Sequence, residues 1–187
     1  MLQIDNTLYS GRPRSCGDRE PEEIRCYDFL DGLGVEYVRV DHEAADTIDA
    51  CHEIEDLLGA KVCKNLFLCN RQKTDFYLLL LEGDKVFKTK FLSAQLGCAR
   101  LSFAGPEDME ALLGVRPGSA SVLGLLNDKE SRVRLVIDRP LLSWDYVGVH
   151  PCRNTSTIRL SVKDLLERVL PAMDRSFTVV ELPETEA

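Results

Sequence analysis

The sequence predicts a mixed α/β domain, one mixed sheet with helices packed around it. Three observations predict it. Helical and strand-like segments alternate irregularly along the whole chain, without the strict β-α-β order of a doubly wound parallel sheet. A length of 187 residues fits one domain with a sizeable core. A composition of 44% hydrophobic and 29% charged residues belongs to a globular chain rather than a disordered one.

Residues 1–19 are polar, carry Gly11, Pro13 and Gly17, and read as a flexible arm. Pro21 with Glu22 and Glu23 opens a helix, because proline fits the first turn and acidic side chains favour the positive end of the helix dipole. Ile24, Tyr27, Leu30 and Leu33 give its apolar stripe, and Gly32 and Gly34 end it. Val35 to Val40 reads as a strand. Residues 46–58 read as a second helix with Ile48, Ile54, Leu57 and Leu58 inward, closed by Gly59. Asn65–Cys69 and Phe76–Leu81 are strands joined by the polar stretch Asn70 to Asp75, so a hairpin is the simplest reading. Lys88 to Leu96 mixes a strand end with a short helix stopping at Gly97. Glu107 to Leu113 is a helix after Pro106. Val133 to Ile137 is a strand, Asp138-Arg139-Pro140 a turn, and Val162 to Leu170 the last long helix, with Ser161 as its cap. The tail from Phe177 reads as loosely held.

The longest apolar run, Phe76 to Leu81, is six residues and far too short to span a bilayer. The first residues lack the basic-then-apolar order of a signal peptide. Seven cysteines are scattered without a C-x-x-C pair, which suits reduced thiols in a cytoplasmic protein better than a disulfide framework or a metal knuckle. The net charge of −8 is a poor start for a nucleic-acid binder. Yet between Lys61 and Arg100 eight basic residues face three acidic ones, a local balance of +5.

Three places carry candidate chemistry. Lys64-Asn65 stands at the mouth of an apolar strand, where rigid structure would hold a binding group. Gly114 to Ser121 includes Pro117-Gly118-Ser119-Ala120-Ser121, a loop whose backbone N–H groups can approach an oxyanion or a phosphate. His150 precedes Asn154-Thr155-Ser156-Thr157, a run of amide and hydroxyl side chains fit to shape a polar pocket. Each also reads, by itself, as ordinary structure: a solvated lysine, a Gly/Pro turn, a hydrogen-bonded loop histidine. No P-loop, dinucleotide fingerprint or G-x-S-x-G elbow occurs.

Taken in order, these segments resemble the prolyl-tRNA synthetase-associated editing proteins, the YbaK-like family. The resemblance rests on Asp41-His42-Glu43-Ala44 with Thr47, Lys64-Asn65-Leu66-Phe67-Leu68, and Arg100-Leu101-Ser102-Phe103-Ala104. It continues through Leu113-Gly114-Val115 with Pro117-Gly118-Ser119, Gly124 to Asp128, and Val147 to Pro151 with Asn154, Thr155 and Thr157. It implies a single domain over residues 20–174 with a central barrel-like sheet, between the arm and a loosely held tail, 175–187. It implies hydrolysis of the ester joining an amino acid to the terminal adenosine of a tRNA, without metal or cofactor. The free-standing branch that clears alanine from tRNA for proline is the best match. The acceptor end of that tRNA, and prolyl-tRNA synthetase, are the implied partners. By resemblance, Lys64 holds the terminal phosphate or backbone, Gly118 opens the loop that holds the scissile carbonyl, and His150 shapes the pocket. Asn65, Thr47, Ser119, Ala120 and Ser121 join them as substrate-binding residues. One departure is Val122, where the family loop usually ends in proline. Two other readings stay open: a non-catalytic tRNA- or synthetase-binding module of the same fold, and a deacylase for serine or cysteine.

Overall fold

The computed structural model describes residues 3–44 and 48–184. In chain order its elements are β1 (Tyr9–Ser10), α1 (Pro21–Gly32), β2 (Val38–Asp41), α2 (Ile48–Leu58), β3 (Cys63–Asn70) and β4 (Phe76–Glu82). Then come α3 (Thr89–Leu96), β5 (Leu101–Phe103), α4 (Pro106–Leu113), a 3-10 turn (Val122–Leu126), β6 (Val133–Asp138) and a second 3-10 turn (Arg139–Ser143). The chain closes with β7 (Tyr146–Val149), β8 (Ser156–Ser161), a helix in three parts, and β9 (Phe177–Val180). That helix runs as α5 (Val162–Asp164), a wider π turn (Leu165–Val169) and α6 (Leu170–Ala172). The wide turn accommodates Pro171, which has no N–H to donate and whose ring crowds the carbonyl one turn back. Ser161 caps the helix by accepting from Asp164 N.

The fold is mixed α/β, with two sheets in place of the single expected one. The smaller has strand order β1-β2-β8-β7, the larger β5-β3-β4-β6-β9. They meet along one seam, where Val62 bridges Gly148 and Gly148 N donates to Lys61 O at 2.8 Å. Only glycine permits this approach: a Cβ at position 148 would lie 2.9 Å from Val62 Cγ2. The β3–β4 hairpin is antiparallel, whereas β4–β6 and β6–β9 are parallel.

Strand β4 is buried on both faces, which explains its unbroken apolar run. Leu78 and Leu80 enter the main core with Tyr27 and Leu30 of α1, Ile158 and Leu160 of β8, and Leu165 and Val169 of the last helix. Leu79 and Leu81 enter a second core on the opposite face, under α3 and the C-terminal segment. A third cluster packs Ile54 and Leu58 of α2 on Val40 and Val62.

Several expectations are corrected. The strand predicted at Val35 begins only at Val38, although Val35 and Tyr37 are buried. No strand end precedes α3. Asp138-Arg139-Pro140 leads into a 3-10 turn. Residues 177–180 are not loose: β9 lies parallel to β6, Val180 and Leu182 are buried, and Leu182 N donates to Asp138 Oδ1 at 2.9 Å. The arm is tied down, with Tyr9–Ser10 paired to β2, Ile4 bridging His42, and Arg12 and Arg19 in ion pairs with Asp28 and with Glu23 and Asp41. Pairing with a partner tens of residues away leaves no local periodicity to read. Among the described residues, no helix is long and apolar enough to cross a membrane.

Candidate active site

The site occupies a gap in a strand edge. On the side away from β4, strand β3 meets the seam at Val62 and β5 from Leu68 onward. The stretch between has no strand partner on that side among the described residues. Six consecutive residues, Val62 to Phe67, line the cleft that fills the gap, about 380 Å³ in volume. Gly118, Ala120 and His150 line it from across, so Lys64, Asn65, Gly118, Ala120 and His150 share one cavity.

Lys64 is half-buried, and its Nζ donates to the backbone carbonyl of Lys85 at 3.1 Å. No carboxylate lies within ion-pair distance of it among the described residues. Lys85 is itself anchored: its Nζ sits 2.8 Å from Asp138 Oδ2, with both side chains at most 2% exposed. Asn65 Nδ2 donates to Cys63 O at 3.0 Å, and Asn65 Oδ1 is buried without a hydrogen-bond partner among the described residues.

The loop before the first 3-10 turn presents backbone to the cavity. Gly118 has φ +83°, a conformation that favours glycine. Ser119 N is taken by Arg116 O at 2.9 Å, while the N–H groups of Gly118 and Ala120 have no acceptor among the described residues. The two serines face elsewhere. Ser119 Oγ accepts from Asn154 N at 3.1 Å, and the residue borders a different cavity. Ser121 is fully buried, and its hydroxyl caps the 3-10 turn by accepting from Leu123 N at 3.2 Å. Both serines therefore hold the loop and present no hydroxyl to the cleft. Val122 is the first residue of that turn and fully buried, so its side chain packs where proline would fit conformationally. Two serine hydrogen bonds and a buried valine supply the fixation a proline ring would give. Thr47 lies outside the described residues.

His150 belongs to a network that local sequence does not reveal. Its Nδ1 lies 3.0 Å from Ser156 O and 3.2 Å from Thr157 Oγ1. Thr157 Oγ1 lies 2.8 Å from His42 Nε2, and His42 Nδ1 lies 2.7 Å from Glu43 O. A carbonyl only accepts, so each Nδ1 carries the proton. The hydroxyl then accepts from His150 and donates to His42. This leaves His150 Nε2 as a lone pair without a protein partner among the described residues, on a ring that lines the cleft. Burial pushes the His150 pKa down to about 4, with the neighbouring His42 adding to the effect, and burial lowers His42 as well. Both rings are thus neutral at pH 7. Sequence reasoning placed His42 and Thr157 in family motifs, and Thr157 in the polar run after His150, but did not join them to each other across the 115 positions between them.

A second cavity, about 610 Å³, lies on the far side of the Pro117–Ser119 segment. Its arginines are spoken for: Arg19 pairs with Glu23 and Asp41, Arg153 with Glu20 and Glu22, and Arg116 with Glu20. Lys64, without a carboxylate partner among the described residues, lies in the smaller cleft.

That cleft is built almost wholly from residues 62–150, and the model of the aminoacyl-tRNA editing domain matches residues 42–167 of the sequence. The chain belongs to the aminoacyl-tRNA editing domain family. Among relatives of this family, the prolyl-tRNA editing protein ProX of Acetoanaerobium sticklandii is 32% identical over 153 residues, covering 82% of this chain and 93% of its own. The prolyl-tRNA synthetase associated domain-containing protein 1 of Danio rerio is 30% identical over 141 residues, 74% of this chain and 76% of its own. A solved structure provisionally assigned as a trans-editing enzyme for prolyl tRNA synthetase superposes with a TM-score of 0.66. At 20% identity, over 89% of this chain and 99% of that one, it supports the editing-domain fold.

Proposed function

We propose that this chain is an aminoacyl-tRNA deacylase that hydrolyses the ester of alanine on tRNA for proline. The observation that carries this reading is the convergence of Lys64, the Gly118 loop and His150 on one cleft. The names of the relatives support tRNA for proline as the substrate and the synthetase as a partner.

The chemistry asks little of the protein. An aminoacyl ester is already activated, so the site must place a water, stabilise the developing oxyanion and exclude the correct amino acid. The free N–H groups of Gly118 and Ala120 serve the oxyanion. Lys64 holds a terminal phosphate. The acceptors His150 Nε2 and Asn65 Oδ1 receive the amino group of the bound amino acid. A ribose hydroxyl of the substrate helps activate the water, and the reaction needs neither metal nor cofactor. Selectivity is by size: a synthetase pocket for proline rejects smaller alanine weakly, since a methylene is worth only about 1–3 kcal/mol, and a second, smaller site corrects the error. We assign the protein to the cytoplasm, where translation runs and unpaired thiols persist.

A panel of mischarged tRNAs tests the reading. Alanyl-tRNA for proline is deacylated fastest, and Lys64→Ala abolishes turnover while the protein stays folded. Faster hydrolysis of seryl or cysteinyl esters would reassign the substrate. Binding of tRNA without turnover would favour a non-catalytic module. Wild-type rates from Lys64→Ala would remove the lysine from the mechanism.

A further inference from the structure

One large apolar side chain at the candidate site is left mostly exposed. Phe103 is 62% exposed, one of few such residues in the fold, and it borders the same cleft as Lys64 and His150. It pairs directly opposite Leu68 in the β3–β5 ladder. Side chains two and four residues along a strand share a face, so Phe103, Leu66 and Lys64 lie on one flank of β3. An exposed aromatic ring and a lysine without a carboxylate therefore stand on the same side of the opening.

The ring is held rather than loose. Phe87 meets it edge-to-face at 6.3 Å between centroids, and the backbone on either side is tied, by the strand pairing and by Ala104 N donating to Phe67 O at 2.9 Å. Exposed cations flank these elements along the chain: Lys88 follows Phe87, Lys90 lies in the first turn of α3, and Arg100 precedes β5. Lys88, Lys90 and Arg100 are exposed, and none has a carboxylate within ion-pair distance among the described residues. By contrast, Lys61, Lys73 and Lys85 of the same basic segment are paired with Glu82, Asp108 and Asp138. A supported aromatic face beside uncompensated cations is the arrangement that binds single-stranded nucleic acid, rings taking bases and cations taking phosphates.

Resting on the deacylase reading, we propose that Phe103 is the stacking platform for the unpaired base at the 3′ end of the tRNA, with Lys64 on the adjoining phosphate. The platform fixes where the ester sits in the cleft. Stacking tolerates any base, so this contact recognises an unpaired 3′ nucleotide and leaves the identity of the tRNA to other contacts.

The test is a binding cycle with uncharged tRNA for proline, either complete or lacking its 3′-terminal adenosine, against the wild-type chain and Phe103→Ala. A stacked base contributes about 10- to 100-fold in affinity. The wild-type chain binds the shortened RNA weaker by at least that factor. Phe103→Ala narrows the difference between the two RNAs by that factor, leaving only what the Lys64 phosphate contact contributes, and Phe103→Trp restores it. An exposed ring leaves the fold intact, which an unchanged melting temperature checks. If Phe103→Ala still loses the full factor when the adenosine is removed, the platform is overturned, even where deacylation by the wild-type chain upholds the activity. A wild-type chain that binds neither RNA would overturn both.

Discussion

Replacing Thr157 by valine keeps the shape of the side chain and removes the hydroxyl between two imidazoles. Thr157 is fully buried, and its Oγ1 lies 2.8 Å from His42 Nε2 and 3.2 Å from His150 Nδ1. Valine leaves His42 Nε2 without a donor on a side chain only 7% exposed. A buried polar group without its partner costs about 1–3 kcal/mol. At roughly 2–4 °C per kcal/mol for a chain of this size, the melting temperature falls by about 4–8 °C for a cost near 2 kcal/mol. The effect on turnover is separate. His150 Nδ1 keeps its bond to Ser156 O but loses the second acceptor, so its tautomer and orientation are less firmly held. One hydrogen bond of about 1–1.5 kcal/mol corresponds to roughly a tenfold fall in kcat/KM. Thr157→Ser restores both bonds and should recover both quantities. Nitrogen-15 NMR of the histidine rings reads the tautomer directly: Nδ1–H in the wild-type protein and a mixture in Thr157→Val. A Thr157→Val protein with wild-type stability, wild-type rate and an unchanged His150 tautomer would refute the role of this network.

Three further outcomes are expected. Because folded His150 titrates near 4 and an unfolded histidine near 6.5, the unfolded chain takes up protons first as pH falls; stability is full above about pH 6.5 and declines toward pH 4, with His42 contributing in the same direction. For the same reason His150 contributes no step to kcat/KM between pH 6 and 8; chemical denaturation and rate profiles across pH check the two halves. Asp138→Ala leaves the buried Lys85 ammonium with only the exposed carboxylate of Glu184, at 3.2 Å, and frees Leu182 N, costing about 3 kcal/mol against about 0–1 for Lys61→Ala at the exposed pair with Glu82, as denaturant melts would read. Hydrogen exchange in β9 should rise in Asp138→Ala. Gly148→Ala forces a Cβ into Val62 across the seam and lowers stability by about 1–3 kcal/mol, and an unchanged melting curve would show that the two sheets are not locked there.

Residues with strong local signals were legible in sequence. Pro21 with two glutamates placed the start of α1, Gly97 and Gly114 ended α3 and α4, and Phe76–Leu81 announced a strand. Those signals are local because capping, turn conformation and solvent exclusion act within a few residues. The ordered motifs likewise named Lys64, Gly118 and His150, and the fold brings them to one cleft. What the chain order could not supply was which atoms point inward. Ser119 and Ser121 look like substrate hydroxyls in a loop, yet one accepts from Asn154 N and the other caps a turn. His42 and Thr157 meet only because β2 and β8 are neighbours, Val40 pairing Thr157 and Asp41 pairing Ser156. The second sheet, the ordered β9 and the gap beside β3 are products of strand pairing between distant segments, and hydrogen bonds across a sheet depend on where strands lie in space rather than on what flanks them in sequence.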